Sequence, residues 1–222
     1  MMKVKFLGHA AFCVEMDGKR LLFDPWIEGN PQSCISVEQL GHVDLVLVSH
    51  DHDDHIGQAF DICRRTGATL VAVHEIAVEA AKRGLRAVGV NVGGPARVEG
   101  LEVVVTPALH SSGRGIPVGF IVRSREGSVY HAGDTGLFYD IKLYAELYPV
   151  DIAMVPIGGH YTMDPLQAAV FTSLLKPRVV IPMHYNTFPA IRADPQVFAK
   201  EVTSRSRGTK VVVLKPCEEF EL

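Results

Sequence analysis

The chain has 222 residues, 47% of them hydrophobic, and a formal charge of −3. That apolar content supports a substantial core and excludes a disordered chain, and the length suits one domain spanning residues 1–222. The slight negative charge excludes the basic field expected of a nucleic-acid or anionic-membrane binder.

The N-terminus, "MMKVKFLGHAAF", lacks the long apolar run and cleavage signature of an export signal, so a cytoplasmic protein is expected. "KVKFLG", "AFCVEM" and "RLLFD" read as strands, the last two joined by the turn "DGK" at Asp17–Lys19. After the loop "PWIEGNPQS", the continuous apolar run of "VDLVLVSH" predicts a strand buried on both faces. "DHIGQAFDICRRTG" predicts one helix stopped at Gly67, followed by strand "ATLVAV" and helix "HEIAVEAAKRG" stopped at Gly84. Strands return in "LEVVVTPALH", "VGFIVRS" and "SVYHAGD". Helix "LFYDIKLYAELY", strand "VDIAMVPI", helix "DPLQAAVFTSLLK", strand "RVVIPMH", a helix near Pro195–Ser204 and strand "KVVVLK" complete the chain. Each half runs from a meander into βαβ units, which predicts two packed sheets with helices outside. No stretch approaches eighteen apolar residues, so nothing reads as a membrane span. Cys13, Cys34, Cys63 and Cys217 have neither paired nor metal-like spacing; small buried thiols in a reducing compartment are expected, not a disulfide framework.

The stretch "SHDHDDHI" at 49–56 carries the chemistry. On an extended segment, residues two apart face the same way, so His50 and His52 can approach one ion together. Asp54 and His55 fall at the turn into the next helix and can reach a second ion. With ten histidines in the chain, His-x-His-x-Asp-His arises by chance on the order of one time in a thousand. Imidazole and carboxylate suit Zn, Mn, Fe or Ni, and no cysteine here invites a thiolate site. His110, Asp134 and His184 follow the ends of later predicted strands, where α/β active sites gather.

"SHDHDDH", His110, "GDTG" at Asp134 and "MHY" at His184 together resemble the ligand series of the metallo-β-lactamase fold, with Asp24 in "LLFDP" matching its first motif. "FLGHAAF" and "IGGHYTMDPLQAA" resemble the compact branch of metal-dependent hydrolases related to ascorbate-6-phosphate lactonase and to the phospholipase D acting on N-acylethanolamine phospholipids. The resemblance implies an α/β four-layer αββα sandwich of two mixed sheets. It also implies a binuclear site: His50, His52 and His110 on one ion, Asp54, His55 and His184 on the other, Asp134 bridging, and Asp24 orienting the ligand loop. Lactonase-like relatives can use one ion, so one or two divalent transition metals are expected, zinc foremost. Such a pair lowers the pKa of a shared water and polarises a carbonyl or phosphoryl oxygen.

His9 and His160 match branch motifs near the pocket and read either as contacts to substrate or metal-bound water, His160 as proton donor, or as structural hydrogen-bonding residues. Arg114, on a glycine-flanked loop after His110, is the basic residue best placed for an anionic substrate; a solvated loop arginine is the alternative. Trp26 and Phe188 are expected at the pocket rim, His131 as a packed residue, and His42 and His74 at the surface. The leading function is a hydrolase of a small ester, lactone or phosphoester; a metal-containing binding or sensing protein and a membrane-associated phospholipase are the alternatives. A small molecule is the expected partner, with no nucleic acid and no membrane, and homo-oligomers are left open.

Overall fold

Three antiparallel strands, β1 (Lys3–Gly8), β2 (Ala11–Met16) and β3 (Lys19–Phe23), open the fold in a computed structural model that describes Met1–Leu222. Asp17 and Gly18 take φ of 51° and 73°, the backbone twist that a two-residue hairpin requires. The sheet continues in parallel through β4 (Leu45–Val48), β5 (Thr69–Val73) and β6 (Ala87–Val90), with Leu22, Val46, Leu70 and Ala87 in register. A second sheet repeats the plan. β7 (Gly93–Val98), β8 (Leu101–Pro107), β9 (Val118–Arg123) and β10 (Ser128–His131) are antiparallel. β11 (Ile152–Pro156), β12 (Val179–Met183) and β13 (Lys210–Val211) extend it in parallel. The last strand, β14 (Glu219–Glu221), crosses back to pair with β1, giving two sheets of seven strands.

The sheets face each other across a core of 44 buried residues, including Phe12, Phe23, Leu45 and Leu47 from the first and Val103, Phe120 and Val129 from the second. The other face of β4, Val46 and Val48, packs with Leu70 and Ala72 against α2 (Ala59–Thr66) and α3 (His74–Lys82) in a separate cluster. Burial on both faces is the reason β4 reads as an unbroken apolar run. On the far side lie α4 (Ile141–Leu147), α5 (Pro165–Leu175) and α6 (Pro195–Arg205), which feed Ile141, Phe171 and Phe198 into the main core. The order helix, sheet, sheet, helix is the four-layer αββα sandwich expected from the sequence. No helix is long and apolar enough to cross a membrane.

Five expectations need correction. The strand expected over 210–215 is only Lys210–Val211. The single helix expected over 54–67 is two: a turn, α1 (Asp53–Ile56), and α2, broken at Gly57 with φ 40°. A Cβ there would lie 2.5 Å from the Pro25 carbonyl oxygen and the Trp26 Cα, so the break seats this corner against the 25–26 backbone. The helix expected from Leu137 begins only at Ile141. β6 and β7 were not expected: both are edge strands, and glycine and proline dilute the pattern of β7. Finally, Cys34 and Cys217 form a disulfide, with Cα atoms 6.0 Å apart, across 183 residues of sequence. Spacing along the chain carries no sign of it, because only the return of β14 to β1 brings Cys217 beside the 25–36 loop. Cys13 and Cys63 are buried free thiols, as expected.

Candidate metal centre

β4 ends at Val48, and the next seven residues bring four candidate ligands to one place. His50 follows β4, His52 lies on extended backbone, and the single turn of α1 carries Asp54 and His55. His110 follows the end of β8, Asp134 that of β10 and His184 that of β12. Ligand atoms of His50, His52 and His110 lie within 4.8 Å of one another, as do those of Asp54, His55 and His184 together with His9. Asp134 stands between the groups: its Oδ2 is 3.1 Å from His184 Nε2, 3.2 Å from His55 Nε2 and 3.5 Å from His110 Nε2.

Behind this cluster, Asp24 sets the direction of the rings. Its buried carboxylate accepts from the Ser49 N–H (2.7 Å), the Ser49 hydroxyl (2.6 Å) and His55 Nδ1 (2.7 Å). Since the Ser49 hydroxyl has already given its one proton to Asp24, it accepts from His50 Nδ1 at 2.9 Å. Both rings therefore hold their proton on Nδ1 and turn Nε2 toward Asp134 and His52. Despite burial, the neighbouring His55 and His131 hold the Asp24 pKa down to about 2. Asp24 itself sits at φ 41°, and His9 and His184 at 59° and 54°, so backbone strain gathers at the site.

The donor set fits metal ions. Three buried atoms of the cluster, His55 Nε2, Asp134 Oδ1 and His184 Nδ1, have no hydrogen-bond partner. Native interiors seldom leave such atoms unmatched, and a cation is the partner this arrangement lacks. Burial and the neighbouring His55 lower the His50 pKa to about 3, keeping its lone pair free. Burial opposes the charge on His55, but the carboxylates of Asp134 and Asp24 outweigh it and raise its pKa well above the ordinary value. Asp134, buried yet flanked by His184 and His55, is held well below the carboxylate range.

An open cleft of about 280 Å³ leads to the cluster, lined by His52, Asp54, His110, Ser111, Asp134, Tyr161 and His184. Sequence reasoning missed Tyr161, which sits beside His160 in the same loop. His160 is exposed and does not line the cleft; it stacks edge-on against Tyr161, ring centroids 4.3 Å apart. His9 does not line it either. Fully buried, it bridges Thr187 Oγ1 (2.8 Å) and Asp54 Oδ2 (3.1 Å), and burial with the nearby His184 and His55 lowers its pKa to about 4 against the pull of Asp54. Trp26 and Phe188 stack on each other and enclose His9.

Arg114 is tied down. Its Nε donates to Asp51 Oδ2 at 2.9 Å, while Asp51 Oδ1 accepts from the Ser112 hydroxyl (2.8 Å) and the Gly113 N–H (2.7 Å). These contacts overcome partial burial and bring the Asp51 pKa to about 2. Asp51, also missed, thereby pins the His50–His52 segment to the loop after His110. Its only sequence signal is alternation, since a residue between two inward-facing histidines points away from them. His131 is packed as expected, stacked on Phe23 and donating from Nε2 to the Ala10 carbonyl. His42 and His74 are exposed.

Known proteins match the chain over nearly its whole length. Residues 3–184 match the family described as Beta-lactamase superfamily domain. A UPF0173 metal-dependent hydrolase of Thermofilum pendens is 52% identical, covering 100% of this chain and 99% of the relative. One from Caldivirga maquilingensis is 50% identical, covering 99% of this chain and 97% of the relative. The solved structure of Igni18, a metallo hydrolase from the hyperthermophilic archaeon Ignicoccus hospitalis, is 47% identical and superposes with a TM-score of 0.94, covering 100% of this chain and 99% of that one. With its fold, its cluster of unmatched histidine and aspartate atoms and these matches in accord, the chain belongs to the UPF0173 metal-dependent hydrolases of the beta-lactamase superfamily.

Proposed function

We propose that the chain hydrolyses a small ester, lactone or phosphoester at a centre of two divalent transition-metal ions. His50, His52 and His110 hold one ion, Asp54, His55 and His184 the other, and Asp134 bridges them. The observation that carries this reading is the position of the Asp134 carboxylate, within 3.5 Å of nitrogens from both histidine groups. The nitrogen and oxygen donors favour zinc, with manganese, iron or nickel as substitutes. Such ions supply a water that ionises near neutral pH and a Lewis acid for the substrate oxygen.

The chain's own residues do the rest. Asp24 and Ser49 fix the rings of His50 and His55 so that their free nitrogens face inward. His9 donates from Nε2 to Asp54 while accepting from Thr187, which holds that carboxylate in place. The Tyr161 hydroxyl, at the cleft wall, donates a hydrogen bond to the substrate or to its departing oxygen, the part first expected of His160. We assign a small molecule as the partner and the cytoplasm as the compartment. The Cys34–Cys217 bridge is compatible with that assignment if this chain, like its Ignicoccus relative, works at high temperature, since hyperthermophiles keep many intracellular disulfides.

Elemental analysis and activity together test the reading. The protein should carry up to two ions per chain, lose ester, lactone and phosphoester hydrolysis when stripped by a chelator, and recover it when zinc or manganese is returned. Full hydrolysis by metal-free protein would refute it.

A further inference from the structure

A cleft of about 280 Å³ lies at the small end of ligand sites, so once ions are seated it admits little more than a reacting group. The rest of any substrate must lie outside it, and the segments that carry the ligands leave apolar side chains exposed. Leu109, directly before His110, is 56% exposed, and Tyr161 is 58% exposed. Leu137, three residues after Asp134, and Phe188, four after His184, are also exposed. Leu109 is held firmly: its N–H donates to Thr135 Oγ1 at 2.9 Å, and its carbonyl accepts from the Gly136 N–H at 3.0 Å. Large apolar side chains left exposed on rigid backbone beside a reactive centre mark a surface that something covers.

Charge narrows the occupant. No lysine or arginine lines the cleft, and Arg114, the one arginine on the loop after His110, is engaged by Asp51. A doubly charged phosphate would find only the ions themselves to balance it. Leu143 and Leu147 on α4, Leu166 on α5 and Val197 on α6 are exposed on the outer helices, so a contact between copies has its own candidate surface.

We propose, on the hydrolase reading above, that the substrate is an uncharged carboxylic ester or lactone bearing an apolar chain, with Leu109 and Tyr161 setting its specificity. The oxygen of water bonds to the carbonyl carbon, the bond from that carbon to the alcohol oxygen breaks, and the alcohol oxygen takes up a proton. An ester gives an acid and an alcohol, a lactone a single hydroxy acid, with no other reactant.

The test is a substrate series on full-length, zinc-reconstituted protein: p-nitrophenyl acetate, butyrate and hexanoate, γ-lactones with and without an alkyl chain, bis-p-nitrophenyl phosphate and p-nitrophenyl phosphate. One-sided contact with the rim is worth roughly twofold per methylene, so kcat/KM should rise by roughly tenfold from acetate to hexanoate. The alkyl lactone should likewise exceed the bare one, and p-nitrophenyl phosphate should fall far below hexanoate. Leu109→Asn should cut the hexanoate-to-acetate ratio severalfold. A flat response to chain length, or a preference for either phosphate, overturns the proposal and leaves the hydrolase reading standing. Failure to hydrolyse any of these compounds overturns both. If Leu109→Asn keeps the ratio but light scattering shows that it dissociates an oligomer, the rim is covered by a second copy and the proposal is wrong.

Discussion

Asp24 serves three donors with one buried carboxylate. In Asp24→Asn an NH₂ group in place of Oδ2 leaves both the Ser49 hydroxyl and His55 Nδ1 without an acceptor, and one in place of Oδ1 leaves the Ser49 N–H without one. Ion affinity should fall roughly 10- to 100-fold, read by competition with a chelating dye. Unchanged affinity would mean that Asp24 only supports the fold. Tyr161 and His160 are adjacent and make opposite expectations. Tyr161→Phe should lower kcat/KM by roughly tenfold through the loss of one hydrogen bond to the substrate. His160→Gln should stay within about threefold of wild type, as expected of an exposed residue outside the cleft. A larger loss in His160→Gln than in Tyr161→Phe would restore His160 as the proton donor.

Between elements, the site depends on close approaches and on one clip. Any side chain at Gly57 meets backbone rather than a movable side chain, and its φ of 40° disfavours other residues. Gly57→Ala should cost roughly 2–4 kcal/mol in chemical denaturation and displace α1 with Asp54 and His55. Wild-type stability in that variant would show that the 25–26 loop yields easily. Asp51→Ala should release the loop that starts at His110 and, if two ions bind as proposed, weaken the one assigned to His50, His52 and His110 more than the other. Equal weakening of both, seen in a two-step metal titration, would deny the clip. These elements also show what the sequence makes legible. The strands with continuous apolar runs, the helix stops at Gly67 and Gly84, and the ligand series at strand ends could all be read, because each leaves a local pattern. The break at Gly57, the edge strands β6 and β7, the return of β14, the Cys34–Cys217 bridge and the Asp51–Arg114 pair could not. Each depends on what approaches from a distant part of the chain. Tyr161 was legible only as a neighbour of His160, since one residue of backbone turn decides which of the two faces the cleft.

For the whole molecule, the candidate ligands make the metal-free protein sensitive to acid. The pKa values of His9 and His50 fall to about 4 and about 3, while the unfolded chain protonates both near 6.5. Below pH 6.5 the unfolded state therefore binds protons that the folded state refuses, and stability falls as pH falls toward 4. His55, with its raised pKa, acts in the opposite sense: its contribution is full at low pH and is lost as pH rises through its folded value. That contribution is already full below the unfolded value near 6.5 and grows no further, so the melting temperature of metal-stripped protein should drop between pH 7 and 4.5. A flat profile would contradict this. Independently, the Cys34–Cys217 bridge closes a loop of most of the chain and should add about 2–4 kcal/mol. Cys34→Ser should therefore lower the melting temperature by several degrees without changing metal content, and an unchanged melting temperature would mean that the bridge adds no stability. The two-ion centre itself is tested most directly by elemental analysis of three proteins loaded under the same metal-replete conditions. Wild type should hold two ions per chain, His110→Ala one, and Asp134→Ala close to none, because the carboxylate between the two histidine groups serves both. Two ions retained in Asp134→Ala, or none in the wild type, would contradict the centre described here.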